Sequence, residues 1–228
     1  QKRLFNPEKT PEEAYRDGLK AITDSMGEKR FLLNCAEGWD SAGLCQGMRI
    51  GGDVGATLDG LDSAVQTTMK SLFYNNIVWW TDPDVVCVRE PLTLEQARTW
   101  VTLVSITGQI FMASDDMPAL NESRIELLRR AYPPADIRPM ELYSLKDRPA
   151  IFDLKVNKPE IGSWDVAAVF NWNTKWERKG PLSVEDLGIP ASKNGFVFFD
   201  FWNQKMLACG VNEVELTIPS LECRVIAI

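Results

Sequence analysis

Gln46-Gly47-Met48-Arg49-Ile50-Gly51-Gly52-Asp53-Val54-Gly55 is the stretch on which the reading of this chain turns. Met48-Arg49-Ile50 has the apolar character of a short strand. The Gly-Gly pair that follows removes two side chains just ahead of a carboxylate, so backbone can pass close to a ligand there. An acid after Gly-Gly most often closes a turn or caps a helix. The same acid, buried at the end of an apolar strand, suits proton transfer, because burial raises its pKa and keeps the proton available. The second reading makes Asp53 a buried general acid/base, with Arg49 four residues before it. The flanking segments decide between the two.

Upstream, Thr10, Pro11 and Glu13 have the spacing of a capping box with Pro in the first turn. Ala14, Leu19, Ala21, Ile22 and Met26 then recur with helical period up to a C-cap at Gly27. Residues 30–35 form a continuous apolar run, the pattern of a strand covered on both faces. Downstream, residues 60–73 read as a helix and Asn76–Trp80 as a strand ending in Thr81-Asp82-Pro83-Asp84. Thr93 and Gln96 cap a helix to about Thr107, Gln109–Ala113 is a fourth strand ending in Ser114-Asp115-Asp116, and Ser123–Ala131 is a last helix. Strands alternating with helices imply a parallel sheet with right-handed crossovers. Cys35, Asp53, Asp82 with Asp84, and Asp115 with Asp116 all fall at strand C-terminal ends, the catalytic face of a parallel α/β barrel.

After Pro149 the pattern changes. Short runs rich in β-branched and aromatic residues, among them Asp165–Trp172 and Phe196–Trp202, are separated by Asn, Gly, Pro and Lys. They predict antiparallel strands, hence a β-sandwich as a second domain over 147–228, after an α/β domain over 1–146. Four parallel strand candidates are half of what a closed barrel requires. An open doubly wound sheet would carry a Gly-rich phosphate loop at its switch point, and no G-x-G-x-x-G or Walker pattern is present.

Composition narrows the chemistry. The 228 residues carry 45% hydrophobic and 25% charged residues, as expected of a folded globular chain. The formal charge of −7 argues against a nucleic-acid partner, whose phosphates demand basic patches. No apolar run approaches the roughly 18–20 residues of a membrane span. There is no histidine, so Ser-His-Asp and Cys-His mechanisms are excluded. Five cysteines without a C-x-x-C pair argue against a zinc site. Chemistry must rest on carboxylates, Lys, Arg, Tyr or thiols.

The ordered segments Ala14–Leu19, Phe31–Cys35, Gly47–Asp53, Trp80–Asp84 and Ser114–Asp116 resemble the C-terminal part of the catalytic barrel of glycoside hydrolase family 36, the bacterial α-galactosidases. The later β segments look like that family's C-terminal β-sandwich. The resemblance implies that Asp53, in Arg-x-x-x-Asp, is the general acid/base of a retaining α-galactosidase that uses neither a metal nor an organic cofactor. It implies that Arg49 binds a sugar hydroxyl and that Cys35 and Trp80 line the sugar pocket. Asp82 and Asp84 are implied to orient the site from behind, and Asp115 and Asp116 to cap the last barrel helix. Ala36 and Glu37 depart from the family's loop after the Cys, which leaves the sibling specificities, an α-N-acetylgalactosaminidase or a galactosyl transferase, open. The family's nucleophile, in Lys-x-Asp, belongs to a strand expected upstream of Gln1. Retaining glycosidases need two carboxyls about 5–5.5 Å apart, and only the first is expected here. The chain then reads as part of a larger enzyme, inactive alone, whose partners are an α-galactoside and the missing N-terminal half of the barrel, and which self-associates through exposed strand edges. The competing reading is a non-catalytic carbohydrate-binding or structural module.

Overall fold

The computed structural model describes residues 5–35, 38–136, 138–139 and 148–228. The first helix, α1 (Pro11–Met26), begins as the capping box predicts. Thr10 Oγ1 accepts the Glu13 N–H at 3.2 Å, and the Glu13 carboxylate accepts the Thr10 N–H at 2.8 Å. It ends at Gly27, whose φ of 77° suits a residue without Cβ.

Three strands follow, β1 (Leu33–Asn34), β2 (Gly47–Arg49) and β3 (Trp80–Asp82), hydrogen-bonded in that order and all parallel. The helix α2 (Leu58–Ser71) is the crossover from β2 to β3, and α3 (Leu94–Ile106) and α4 (Glu122–Ala131) follow. The strands are shorter than their apolar runs suggest. Of residues 30–35 only Leu33 and Asn34 pair as a strand. The expected strand Asn76–Trp80 begins only at Trp80, because Tyr74 O accepts both the Ile77 and Val78 N–H groups and Asn76 adopts a left-handed φ of 54°. Residues 109–113 join the sheet through two links, the Ile110 N–H on Thr81 O at 2.9 Å and a parallel bridge between Val86 and Ala113. The ladder breaks between them because the neighbouring chain turns away at Pro83, which has no N–H to give.

The antiparallel part comprises β4 (Ile151–Lys158), β5 (Gly162–Phe170), β6 (Arg178–Ser183), β7 (Phe196–Asp200), β8 (Lys205–Val211), β9 (Glu213–Ile218) and β10 (Cys223–Ala227). Five of them form one sheet in the order β4-β5-β10-β7-β8, and β6 pairs with β9 in a second. Period-two alternation sends side chains to opposite faces. Ala167, Val169, Phe198 and Ile226 pack with Leu182, Leu216 and Ile218 of the two-stranded sheet. Phe152, Leu154, Ala168, Phe170 and Val225 join a different core, built with the helices.

That helical core holds the two parts of the chain together. Trp100, Val101, Leu103 and Val104 of α3 are fully buried, as expected of a helix apolar on nearly all sides and covered by two layers. Trp202 Nε1 donates to Thr102 Oγ1 at 2.9 Å, Thr99 Oγ1 donates to Leu221 O at 3.1 Å, and Arg130 donates to Trp202 O at 3.0 Å. The boundary expected at 146/147 lies outside the described residues, but the apolar core crosses from one part to the other.

Glycine fixes the approach of α2 to the loop after β2. A Cβ on Gly51 would sit 2.6 Å from Thr67 Cγ2, and one on Gly60 would sit 2.1 Å from the carbonyl oxygen of Gly55. Alanine in a helix normally gains up to about 1 kcal/mol over glycine. At Gly60 the clash is with backbone, so Gly60→Ala is expected to destabilise by about 1–3 kcal/mol, the usual cost of overpacking. Urea unfolding of the variant checks this, and a stabilised variant would contradict the packing of α2 on residue 55.

Candidate functional site

The C-terminal ends of β2 and β3 bring four of the expected residues together around one guanidinium. Arg49 is the last residue of β2 and lies opposite Asp82, the last residue of β3. The Ile50 N–H donates to Asp82 O at 2.9 Å, which fixes where the chain leaves the sheet. Arg49 Nη2 lies 2.9 Å from Asp53 Oδ1 and 2.9 Å from Asp84 Oδ2. Its Nη1 points at the Cys35 sulfur at 4.0 Å. Arg49 Nε is buried and has no partner among the described residues. A guanidinium carries five donors in a fixed fork. Two anchors on Nη2 and a buried Nε therefore leave Nη1 as the donor for an oxygen-rich ligand.

Asp84 is more than a counter-ion. Its Oδ2 also accepts the Val54 N–H at 2.7 Å, so one carboxylate ties β2 to the loop that carries Asp53. Its φ of 78° lies in the left-handed region, uncommon for a residue with a Cβ but tolerated by Asp. The turn is closed by Asp82, whose Oδ1 accepts the Asp84 N–H at 2.9 Å across Pro83. This is an Asx-type turn, legible in the sequence as Asp-Pro-Asp.

Asp53 corrects the sequence expectation. Its side chain is 100% exposed, whereas Arg49 and Asp84 are 13% and 14% exposed. The Gly51-Gly52 turn lifts the acid out over the strand end, and among the described residues only Arg49 tethers its carboxylate. The buried acid of the site is Asp82, at 1%.

Two other assignments change. Trp80 is on the same strand as Asp82 but at its opposite end. It lines a cleft with Asn75, Thr107, Gly108, Asp136 and Arg138, and is not brought to Arg49. Asp115 and Asp116 do not cap the last helix. Asn121 does so, accepting the Arg124 N–H at 3.1 Å. Asp115 instead is fully covered, pairs with Arg89, and accepts the Val88 N–H at 2.6 Å. That second ion pair, beside buried Cys87, lies outside the sequence reading because nothing in the run Cys87-Val88-Arg89 marks a site. Ala36 and Glu37 lie outside the described residues. Among the described residues no group of three or more His, Cys, Asp and Glu is placed to hold a metal ion, and no helix is long and apolar enough to cross a membrane.

No protein-family model matches the chain. Its fold does match solved structures of glycosidases. The α-galactosidase I of Mortierella vinacea aligns over 98% of this chain and 65% of its own, at 15% identity and a TM-score of 0.69. A family 27 β-L-arabinopyranosidase of Geobacillus stearothermophilus aligns over 96% of this chain and 54% of its own, at 17% identity and 0.73. The α-galactosidase of Saccharomyces cerevisiae, solved with raffinose, aligns over 98% and 70%, at 12% identity and 0.69. The chain thus spans about half to two thirds of the length of these proteins. The alignments run through both the parallel and the antiparallel part, so the two together are a fold these enzymes share.

Burial is the main influence on Asp82 and pushes its pKa up to about 6. The Asp84 N–H and the Arg49 charge pull it down, and the Asp84 charge adds to the rise. An unfolded Asp titrates near 3.9, so between about pH 4 and pH 6 the folded chain holds a proton that the unfolded chain lacks. The stability from this group is present below pH 4 and is lost as pH rises through 6. Asp82→Asn has no such proton. The stability of the Asn variant relative to the native chain is therefore expected to rise between pH 4 and pH 6 and to stay level above about pH 7. Denaturant midpoints across that range check this, and a difference that does not vary with pH would contradict it.

Proposed function

We propose that this chain is the C-terminal half of the (β/α)8 barrel of a retaining α-galactosidase-type glycoside hydrolase, over 1–146, with its β-sandwich domain over 147–228. The observation that carries the reading is the Arg49–Asp53–Asp84 cluster at the C-terminal ends of parallel strands, where barrel enzymes hold their chemistry. The fold shared with α-galactosidases and an arabinopyranosidase supports the class. The family 36 assignment drawn from the motifs belongs to the same proposal, and one of the structural neighbours is a family 27 enzyme.

In this reading Asp53 is the general acid/base. It protonates the glycosidic oxygen as the bond to the anomeric carbon breaks, and then takes a proton from the water that releases the sugar. Its exposure suits a group that must reach an oxygen of a bound substrate. Within a closed barrel the remaining strands would screen it from bulk water. Arg49 offers Nη1 to a sugar hydroxyl while Asp84 holds it in place. Cys35 edges the same space. Trp80 is left out of the set of sugar contacts.

The second carboxyl is the part this reading assigns elsewhere. Asp84 is engaged by Arg49 and the Val54 N–H, and Asp82 is buried behind it, so neither is free to attack an anomeric carbon. The nucleophile then comes from a preceding strand of the same barrel, outside residues 1–228. The same division leaves the edge of β1 and the exposed Phe31 ring for the other half of the barrel to cover, and makes self-association the expected behaviour of this half alone. The competing reading, a carbohydrate-binding or structural module without catalysis, shares the single available carboxyl but gives Asp53 no task.

The test is a rate measurement in two settings. The 228-residue chain alone is expected not to hydrolyse an aryl α-galactoside. Combined in one polypeptide or one complex with the preceding four βα units, it is expected to turn over both that substrate and an unactivated α-galactoside. Asp53→Asn should then cost roughly 100- to 10,000-fold on the unactivated substrate and far less on the aryl one, whose leaving group needs little protonation. Turnover by the chain alone, or an equal loss on both substrates, would overturn the assignment.

A further inference from the structure

The end of β3 contains a chain of contacts that the assignment of Asp53 does not by itself explain. It starts at a buried acid and finishes at an exposed one. Asp82 Oδ1 holds the Asp84 N–H, Asp84 Oδ2 holds both Arg49 and the Val54 N–H, and Arg49 holds Asp53. Each link spans few residues in space but joins different segments: the end of β3, the turn after it, the end of β2 and the Gly-rich loop.

We propose that Asp82 is the positioning residue of this site: by holding Asp84 in its left-handed turn, it sets the pose of Arg49 and of the Val54 loop, and through both the pose of Asp53. This deepens the reading of Asp53 as acid/base and rests on it for its functional meaning.

The selection is conformational. A residue with a Cβ at φ near 78° sits in a sparsely populated basin and returns to an extended or right-handed conformation unless it is held. Two contacts hold Asp84 from its own carboxylate, to Arg49 and to Val54. Those are the contacts the conformation exists to make, so they do not select it independently. The third contact, the Asp84 N–H on Asp82, comes from the backbone and from a side chain anchored in the sheet. Asp82 is 1% exposed and its own carbonyl is tied to the Ile50 N–H, so it moves little. An anchored acceptor facing the N–H of a residue in an unfavourable basin supplies the selection. Pro83 between them fixes one more dihedral and narrows the choice further.

The group needed at position 82 is thus a short acceptor with a planar terminus. Asparagine keeps the acceptor oxygen and the length, and alanine removes both. The charged groups acting on Asp82 are Arg49 from β2 and Asp84 from its own turn. Asparagine changes the charge balance with both, but leaves the hydrogen bond that the proposal invokes.

The test reads Asp84's two downstream contacts by NMR in the 228-residue chain. The probes are the hydrogen-exchange protection of the Val54 amide and the chemical shift of the Arg49 Nε–H. Asp82→Ala is expected to lower Val54 protection by roughly tenfold or more and to move the Arg49 signal, while the cap amides of Glu13 and Gln96 keep their protection. Asp82→Asn is expected to restore Val54 protection to within about twofold of the native chain, since one hydrogen bond is worth roughly a tenfold factor. Unchanged Val54 protection in Asp82→Ala would overturn the proposal. So would an Asp82→Asn variant as unprotected as the alanine. If Asp82→Ala does not fold, the Asp84→Gly chain provides the second background. Glycine adopts the left-handed basin unaided, so adding Asp82→Ala to Asp84→Gly is expected to lower the unfolding midpoint far less than Asp82→Ala lowers that of the native chain. An equal loss in both backgrounds would refute selection through Asp84. None of these readouts depends on turnover, so failure of Asp53 as an acid/base and failure of Asp82 as its positioner are separately visible.

Discussion

One guanidinium holds the site together. Arg49 is placed at the end of β2, half-turned from solvent, and two carboxylates from different loops close on the same nitrogen. A buried cation needs such partners, because removing it from water without them costs several kcal/mol. The acids equally need the cation: Asp82, Asp84 and Asp53 crowd one strand end, and without a positive charge between them they would repel. The partition is uneven. Asp84, itself covered, forms the durable half of the pair, whereas fully exposed Asp53 is screened by water and is free to move. A catalytic acid/base benefits from that inequality, since the tether places it without using up its proton-transfer capacity.

The scaffold delivers these groups through backbone approach rather than through large strands. β1 to β3 contribute two or three residues each, and the ladder beyond β3 survives as two isolated links. What keeps the strand ends in register is the layer behind them. Gly51 lies against Thr67 and Gly60 against the Gly55 carbonyl, so α2 presses directly on the loop that presents Asp53. Behind α2, the buried α3 is shared with the five-stranded sheet. The antiparallel part therefore supports the site from two layers away.

Much of this was legible in the chain. The caps at Thr10 and Thr93 and the crossover helices follow from local hydrogen bonding and period, which a sequence carries directly. The placing of Arg49 and Asp53 at one strand end follows from the short apolar run and the Gly-Gly turn after it, whereas their ion pair is visible only in the structure. What was hidden depended on distant contacts. The apolar run Ile77-Val78-Trp79 fits a strand, and it is the Tyr74 carbonyl, accepting the Ile77 and Val78 N–H groups, that makes it a turn. The pairing of Asp115 with Arg89, 26 residues apart, has no local signature, so a cap seemed the natural use of that acid. β6 has no strand pattern in the sequence because Gly180 and Pro181 interrupt its alternation, which an edge strand tolerates. That Asp82 and not Asp53 is the covered acid is hidden for the same reason. Position along a strand is local, but whether a carboxylate is covered depends on every layer around it.

The central claim is that Arg49 is anchored by Asp84 and only tethered to Asp53. A double-mutant cycle on the free energy of unfolding tests it most directly, with Arg49→Met combined in turn with Asp84→Asn and with Asp53→Asn. The account predicts a coupling of about 1.5–3 kcal/mol between Arg49 and Asp84, as for a covered charge-assisted hydrogen bond, and no measurable coupling between Arg49 and Asp53. Additive effects for Arg49 and Asp84, or a coupling to Asp53 as large as that to Asp84, would contradict it.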